Sequence, residues 1–150
     1  MPATSFFIAR NYGQNPTPGR RAVLLGANVI AYFGNMIAEL NGYGVVPAAA
    51  NQATAHMAGI VIDGLPADNT GGADGALSVV VDSFDVAFAN DGTHPCSQAD
   101  VGNKVYASSG TTISNNSADG PVAGKLIGYN PSDVQGRPCL VALECMRTST

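Results

Sequence analysis

The residues best able to hold a transition metal are few and poorly spaced for that purpose. The chain of 150 residues has two histidines, His56 and His94, and three cysteines. Only Cys96 lies near a histidine, two positions after His94. A structural zinc site needs about four ligands. The sequence His94-Pro95-Cys96 therefore does not predict a metal site.

An acidic, glycine-rich stretch at residues 63–75 could offer oxygen ligands to calcium. It contains three Asp, one Asn and four Gly, and Ca²⁺ binds carboxylate and carbonyl oxygens. Its spacing departs from that of an EF-hand loop, and no glutamate closes it. We favour a surface turn, in which glycines take positive φ and Asp or Asn bonds backbone amides. Calcium binding is the alternative, and we predict no metal and no cofactor.

Signatures of catalysis are missing from the sequence. Neither Gly-x-Ser-x-Gly nor Ser-x-x-Lys occurs, so the common serine nucleophile motifs are absent. Residues 120–126 depart from a phosphate loop, because only three residues separate the glycines and Leu126 replaces the magnesium-binding Ser or Thr. Glu39 and Glu144 are far apart in sequence, and nothing predicts that they meet as a glycosidase pair. We therefore predict that the protein is not an enzyme.

The cysteines do not predict a disulfide framework. Cys96, Cys139 and Cys145 are odd in number and widely spaced. Cys139 and Cys145 flank a strand-like run, which would hold their Cα atoms about 20 Å apart, too far for a disulfide. We expect at least two of the three to be reduced, buried thiols.

The elements that must position these residues are predicted to be short strands. Apolar runs recur every 8–15 residues and are separated by Gly, Asn, Asp or Pro. This spacing predicts a mainly β, compact single domain built as a sandwich or barrel. In the clearest strand, Phe84, Val86 and Phe88 share one face and Asp85 lies on the other. Predicted strands cover residues 58–62, 77–81, 84–88, 104–107, 111–114, 124–129 and 139–145.

Residues 22–41 fit a hairpin better than a helix. A helix over residues 28–40 would carry Gly34 in its middle, at a cost of about 1 kcal/mol relative to Ala. A hairpin turning at Gly34-Asn35 avoids this cost, and Asn41-Gly42 forms the next turn. The alanine-rich residues 48–58 predict one short helix.

The charge distribution separates an N-terminal arm from the rest of the chain. Charged residues make up 12% of the sequence, about half the usual fraction of near 25%. Residues 1–21 carry three arginines and no acid, whereas residues 22–150 have a net charge of −7 from four basic and eleven acidic residues. The first segment is also rich in Pro and Gly, so we predict an extended N-terminal arm at 1–21 and a β-rich domain at 22–150. The alternative is a solvated tail. Three arginines are too small a basic footprint to predict nucleic-acid binding.

Membrane association and export are not predicted. No apolar run approaches the roughly 18 residues that a membrane span requires. The start lacks a basic n-region, and its apolar piece at residues 6–9 is too short for a signal peptide. We expect synthesis and folding in a cytoplasm.

Three stretches of the sequence resemble a known protein family. They are residues 26–46, residues 58–81 and residues 88–128. The most specific piece is the Asp-Gly-Thr turn at residues 91–93, followed by Ala-Asp-Val-Gly-x-x-Val-Tyr at residues 99–106. Their order, over about residues 22–145, resembles the small capsid decoration (cement) proteins of tailed bacteriophages. The arm lies outside this resemblance.

The resemblance implies a structural function. It implies a β-barrel or β-tulip domain that binds the outside of an assembled phage head, as a homotrimer at local threefold positions and without catalytic residues. The partner would be the major capsid protein, whose subunits it bridges and stabilises. The protein would be made in the host bacterial cytoplasm and reside on the capsid exterior.

The arm is the predicted capsid-binding element. Aromatic and apolar anchors dominate interface energies, arginines can meet acidic groups of the shell, and an ordered arm can add a strand to a sheet edge. The predicted contact residues are Phe6, Phe7, Ile8, Arg10, Tyr12, Arg20 and Arg21. The alternative function is a tail, fibre or baseplate β domain that binds a tail partner or a host glycan. A carbohydrate-binding module is less favoured, because Trp is absent and the five Tyr are scattered.

Overall fold

The described part of the chain, residues 20–144 of the computed structural model, has short β-strands as its main regular structure, joined by turns and loops. Three single-turn 3₁₀ helices, Ala49–Asn51, Gln98–Asp100 and Ser117–Asp119, lie between strands. The strands are β1 Arg21–Leu24, β2 Ile30–Ala31, β3 Met36–Leu40, β4 Tyr43–Val45, β5 His56–Val61, β6 Ala67–Asp68, β7 Ser78–Asp82, β8 Asp85–Asn90, β9 Lys104–Ala107, β10 Thr112–Ser114, β11 Val122–Tyr129 and β12 Cys139–Leu143. None of the helices in this part of the chain is long and apolar enough to cross a membrane.

The strands form a five-stranded sheet, a closed five-stranded barrel and a small two-stranded sheet. The sheet has the order β1-β7-β5-β3-β4, and the barrel runs β10-β8-β12-β11-β9. Strands β2 and β6 form the two-stranded sheet. Pairing is antiparallel except between β8 and β10, which run parallel. The predicted mainly β fold with a barrel is confirmed.

Buried side chains form two hydrophobic cores on opposite faces of the five-stranded sheet. The barrel core includes Phe88, Leu126 and Val141 and reaches Met36 of β3. The next residue of β3, Ile37, contributes to the other core, together with Val79 and Val81 of β7. Neighbouring strand residues point to opposite faces. The sheet is therefore covered on both sides, which explains why β5 is buried from its second residue to its last.

Gly59 allows β5 to supply both cores despite an irregular register. Met57 and Ile60 both join the barrel core although they are three residues apart, and the pairing of β3 with β5 shifts between Ile37 and Ala38. Gly59 has φ of +149°, and a Cβ at this position would lie 2.5 Å from the carbonyl oxygen of Asp82. A β-bulge of this kind interrupts the alternation of side chains along the strand, so that Met57 and Ile60, on either side of it, face the same core.

The hairpin predicted at Asn41-Gly42 is confirmed, whereas the one predicted at Gly34-Asn35 is wrong. Asn41 and Gly42 have φ of 54° and 87° and join the antiparallel strands β3 and β4, as a two-residue turn requires. Strand β2 pairs instead with β6. The Gly34 amide donates to the carbonyl of Val61, at 2.8 Å. This bond ties the turn to β5, so β2 is not folded back on β3.

The helix predicted at residues 48–58 is also wrong. Only Ala49–Asn51 forms a 3₁₀ turn, and the chain enters β5 at His56. The Asn51 side chain accepts from the Ala48 amide at 3.1 Å and donates to the carbonyl of Val46 at 3.1 Å. These bonds close a turn, and Met57 and Ala58 at the end of the predicted helix are buried in the sheet. Tertiary burial thus outweighs the helix propensity of alanine.

The remaining predicted strands correspond to observed ones. Residues 58–62 fall largely in β5, residues 77–81 in β7 and residues 84–88 in β8. Residues 104–107 form β9 and pair with β10 as the predicted hairpin. The last two predictions match β11 and β12, with boundaries shifted by up to two residues.

Candidate interaction surface

The predicted arm lies mostly outside the described residues. Five residues of the predicted contact set lie outside the described residues: Phe6, Phe7, Ile8, Arg10 and Tyr12. The last two residues of the predicted contact set are described: Arg20 precedes β1, and Arg21 is its first residue. The boundary predicted at residue 21 therefore falls one residue inside the sheet.

Arg20 and Arg21 both pair with acidic side chains of the same molecule. Arg21 donates from its two terminal nitrogens to the two carboxylate oxygens of Glu39, with Nη1 and Oε2 3.1 Å apart. Glu39 is 9% exposed, and such a buried carboxylate needs a cation and hydrogen bonds to offset its lost hydration. Arg20 is more exposed, and its Nη2 lies 3.5 Å from Oδ2 of Asp82. These pairs join β1 to its own sheet.

Three exposed aromatic side chains lie in two parts of the chain that are far apart in sequence. These are the β2–β3 connection and the residue that precedes β8. Tyr32 and Phe33 are 50% and 65% exposed, and Phe84 is 46% exposed. Phe33 and Phe84 line a groove of about 390 Å³, which we call the aromatic groove. Its other lining residues include Ile60, Val86, Thr111 and Arg137. Exposed aromatic side chains around a concavity are typical of surfaces that bind a partner.

The sequence did not identify this groove. Phe84 was predicted to share the inward face of Phe88, but β8 begins only at Asp85, and Phe84 is half exposed while Phe88 is buried. The one signal available was Tyr32-Phe33, two consecutive aromatics directly before the turn glycine Gly34. Adjacent residues of an extended chain cannot both face one core.

A polar network braces the connection after β8. Nδ1 of His94 lies 2.7 Å from Oδ2 of Asp119, and that oxygen also accepts from the hydroxyl of Ser114. Asp91 accepts from the backbone amides of Thr93 and His94, at 2.9 and 2.8 Å. The amide of His94 is the main cause that holds the pKa of the Asp91 carboxyl below its usual range. The network fixes the Asp-Gly-Thr turn that the sequence singled out.

The same network contains the one group with metal-compatible spacing within residues 20–144. Ligand atoms of Asp91, His94 and Asp119 lie within 4.8 Å of one another. The sequence did not predict this grouping, because Asp119 is 25 positions from His94. The His94 and Asp119 atoms bond each other, Asp119 also accepts from a hydroxyl, and Asp91 accepts from two backbone amides. The arrangement is accounted for as a structural brace.

The acidic stretch at 63–75 contains the short strand β6 between turns, and its Asp side chains bond backbone amides as predicted. Asp63 accepts from a backbone amide of β7 at 2.8 Å, and Asp68 accepts from the amide two residues later at 2.9 Å. Asp74 accepts from an amide in the β1–β2 connection at 2.8 Å. The buried Asn69 donates to two carbonyl oxygens, at 2.8 and 3.0 Å. Each side chain thus satisfies backbone groups.

Two of the three cysteines are buried free thiols, which confirms that prediction. Cys96 and Cys139 lie in the barrel core, and Cys145 lies outside the described residues. A side-chain hydrogen bond with Cys96 lowers the pKa of the Cys139 thiol. That bond and burial together raise the pKa of the Cys96 thiol well above its usual value. Sequence spacing gave no indication of this contact.

No protein-family model matches this chain, and neither a curated protein nor a solved structure matches it significantly. Its function is therefore inferred from its own residues and fold.

Proposed function

We propose that this protein is a structural virion protein that binds the outside of an assembled tailed-phage head. It stabilises the head by bridging subunits of the major capsid protein. The observation that carries the proposal is the aromatic groove, in which Phe33 and Phe84 present apolar surface on a rigid β framework. Such side chains become interface anchors when a partner buries them.

The resemblance to decoration proteins supports the same function. Its most specific piece spans the β8–β9 connection, where the Asp-Gly-Thr turn is held by Asp91. The following Ala-Asp lies in the 3₁₀ helix Gln98–Asp100, and Val105-Tyr106 lies in β9. The most specific piece of the resemblance thus forms one continuous part of the barrel and its β8–β9 connection.

Composition is consistent with a surface that binds protein. Only 12% of the residues are charged, and charged side chains are depleted at the centres of protein interfaces. The groove volume of about 390 Å³ suits a few side chains or a short extended segment. We assign it to a surface segment of the major capsid protein.

Attachment as a homotrimer would strengthen binding to a head with many identical sites. Each subunit that is bound raises the effective concentration of its neighbours at adjacent sites. A modest contact in the aromatic groove then suffices for stable attachment. The trimer and its position at local threefold sites are part of the proposal.

The arm is proposed as a second contact, with a changed role for its last residues. Phe6, Phe7, Ile8, Arg10 and Tyr12 remain the proposed capsid contacts of the arm. Arg20 and Arg21 pair with Asp82 and Glu39 in the same molecule. We therefore propose that these two arginines anchor the base of the arm to the sheet and do not meet acids of the shell.

Co-sedimentation with purified phage heads tests the groove. The double variant Phe33→Ser/Phe84→Ser is expected to bind expanded heads at least ~10-fold more weakly, because two apolar anchors are lost. The matched control is Leu65→Ser, which alters a residue that is 81% exposed and does not line the groove. Circular dichroism establishes that both variants fold.

Equal binding by the groove variant and the control would contradict the assignment of the groove. Deletion of residues 2–19 is the parallel test of the arm, and undiminished binding would remove the arm from the proposal. If the protein binds tails or host glycans and neither head form, it is a tail, fibre or baseplate β domain.

A further inference from the structure

Two cysteines that are distant in sequence meet inside the barrel. Cys96 lies in the β8–β9 connection and Cys139 is the first residue of β12, 43 positions later. They are 2% and 0% exposed and belong to the same hydrophobic core. A side-chain hydrogen bond between them shifts their pKa values in opposite directions, raising that of the Cys96 thiol and lowering that of the Cys139 thiol.

Strand β8 contacts both cysteines, one through strand pairing and the other through a side chain. Cys139 lies directly opposite Phe88 in the β8–β12 ladder. Asn90, two residues further along β8, accepts from the Cys96 amide at 2.7 Å and donates to the Cys96 carbonyl at 3.0 Å. Residues two apart on a strand share a face. The backbone of Cys96 is thus held at a fixed position beside the β12 cysteine.

We propose that Cys96 and Cys139 are a redox pair that forms an intramolecular disulfide within the native fold when a low-molecular-weight disulfide is present. This inference is independent of the proposed head binding. In a reducing compartment the pair remains two thiols, and it closes when the protein enters an oxidising one.

The reaction is two successive thiol–disulfide exchanges with oxidised glutathione as the oxidant. The thiolate of Cys96 attacks one glutathione sulfur, a mixed disulfide forms, and the first glutathione thiolate leaves. The thiolate of Cys139 then attacks Cys96 Sγ, and the second glutathione leaves. Two protein thiols are oxidised by two electrons, one glutathione disulfide is reduced to two thiols, and the protons pass to solvent or to the leaving thiolates.

The fold determines which cysteine reacts first. Cys96 lies in a connection outside the strands, whereas Cys139 is held in β12 by pairing on two sides. Local opening of a connection costs less free energy than breaking a central strand. Opening breaks the hydrogen bond of Cys96 with Cys139 and exposes Cys96 to water, which removes the two main causes that raise its thiol pKa in the closed fold. Cys96 therefore reaches the oxidant first, and reclosure returns it to Cys139.

The disulfide would stabilise the barrel by tying the connection to β12. It closes a loop of 43 residues, and restricting a loop of this length in the unfolded chain raises stability. We expect the melting temperature to rise by roughly 5 °C or more.

The test uses the full chain with Cys145→Ser, so that only the two barrel cysteines can react. The folded protein is incubated with oxidised glutathione at mildly alkaline pH and quenched with acid. We expect an intact mass lower by about 2 Da, a linked Cys96–Cys139 peptide, and the higher melting temperature. Addition of a dithiol reductant should reverse all three changes.

The controls are the same chain with Cys96→Ser or Cys139→Ser added, and the parent chain oxidised in urea. The serine variants should take up glutathione slowly and show no rise in melting temperature. The urea sample establishes that the oxidant is active. The proposal is overturned if the folded parent keeps free thiols while the urea sample oxidises, if it stops at the glutathione adduct, or if the linked protein is no more stable.

Discussion

At the residue scale, the described polar and charged side chains mainly hold the backbone in place. Sequence patterns predicted that Asp and Asn side chains of residues 63–75 bond backbone groups. Only some of these bonds are local: Asp68 accepts from the amide two positions later, whereas Asp74 accepts from one 47 positions away. Contacts between distant residues were not predictable. Arg21 and Glu39 are 18 positions apart, and Cys96 and Cys139 are 43 apart. Such pairs meet only after the strands have paired.

The Arg21–Glu39 pair makes a testable contribution to stability. Replacing Arg21 with Met leaves the buried carboxylate without its bidentate partner, and we expect the free energy of unfolding to fall by about 2 kcal/mol. Urea denaturation measures the change. The matched control is Arg20→Met, whose exposed pair should be worth no more than about 0.5 kcal/mol. Similar losses for the two variants would contradict the role given to Arg21.

Asp91 should make stability depend on pH in the acid range. Its folded pKa lies below the unfolded value, so its contribution is present above the unfolded pKa of about 3.9 and is lost as pH falls through the folded pKa. We expect Asp91→Asn to lower the free energy of unfolding by about 1 kcal/mol near neutral pH. Urea unfolding at about pH 6 and about pH 3 should show the difference shrinking at the lower pH.

The control is Asp85→Asn, which removes one exposed carboxylate at the start of β8 and so matches the change of charge. A difference between Asp91→Asn and the unchanged chain that stays constant down to acid pH would rule out this account of Asp91.

At the element scale, strands and hairpins closed by short turns were predictable, whereas pairs of strands distant in sequence were not. Seven predicted strands correspond to observed ones because apolar runs bounded by turn residues are a local signal. The turn at Asn41-Gly42 was also predictable, since only a few residue types accept positive φ at both positions. The pairing of β2 with β6 and the bulge at Gly59 depend on residues elsewhere in the chain. No local pattern encodes them.

Gly59 should be intolerant of any side chain. A Cβ there would lie 2.5 Å from the carbonyl oxygen of Asp82, and φ is +149°. We expect Gly59→Ala to lower the free energy of unfolding by about 2 kcal/mol or more, because β5 and β7 must separate. The control is Gly128→Ala in β11, where the nearest atom is a side-chain carbon of Leu140 at 3.5 Å. Equal tolerance at both positions in urea denaturation would contradict this role for the bulge.

At the scale of the whole molecule, the sequence predicted a mainly β domain but not its division into a five-stranded sheet and a barrel that share a hydrophobic core. That division comes from β3 and β5, whose opposite faces contact different cores. It also requires the parallel pairing of β8 with β10, which long-range topology imposes. The aromatic groove follows from this arrangement, because its lining comes from the five-stranded sheet, from the barrel and from the connections between strands.

The most direct measurement of the central proposal is co-sedimentation of the purified full chain with expanded phage heads that lack it. Unexpanded heads serve as the control. We predict saturable binding at a fixed ratio to the major capsid protein, with greater resistance of the decorated heads to heat. Absence of binding to either head form would contradict the proposed function.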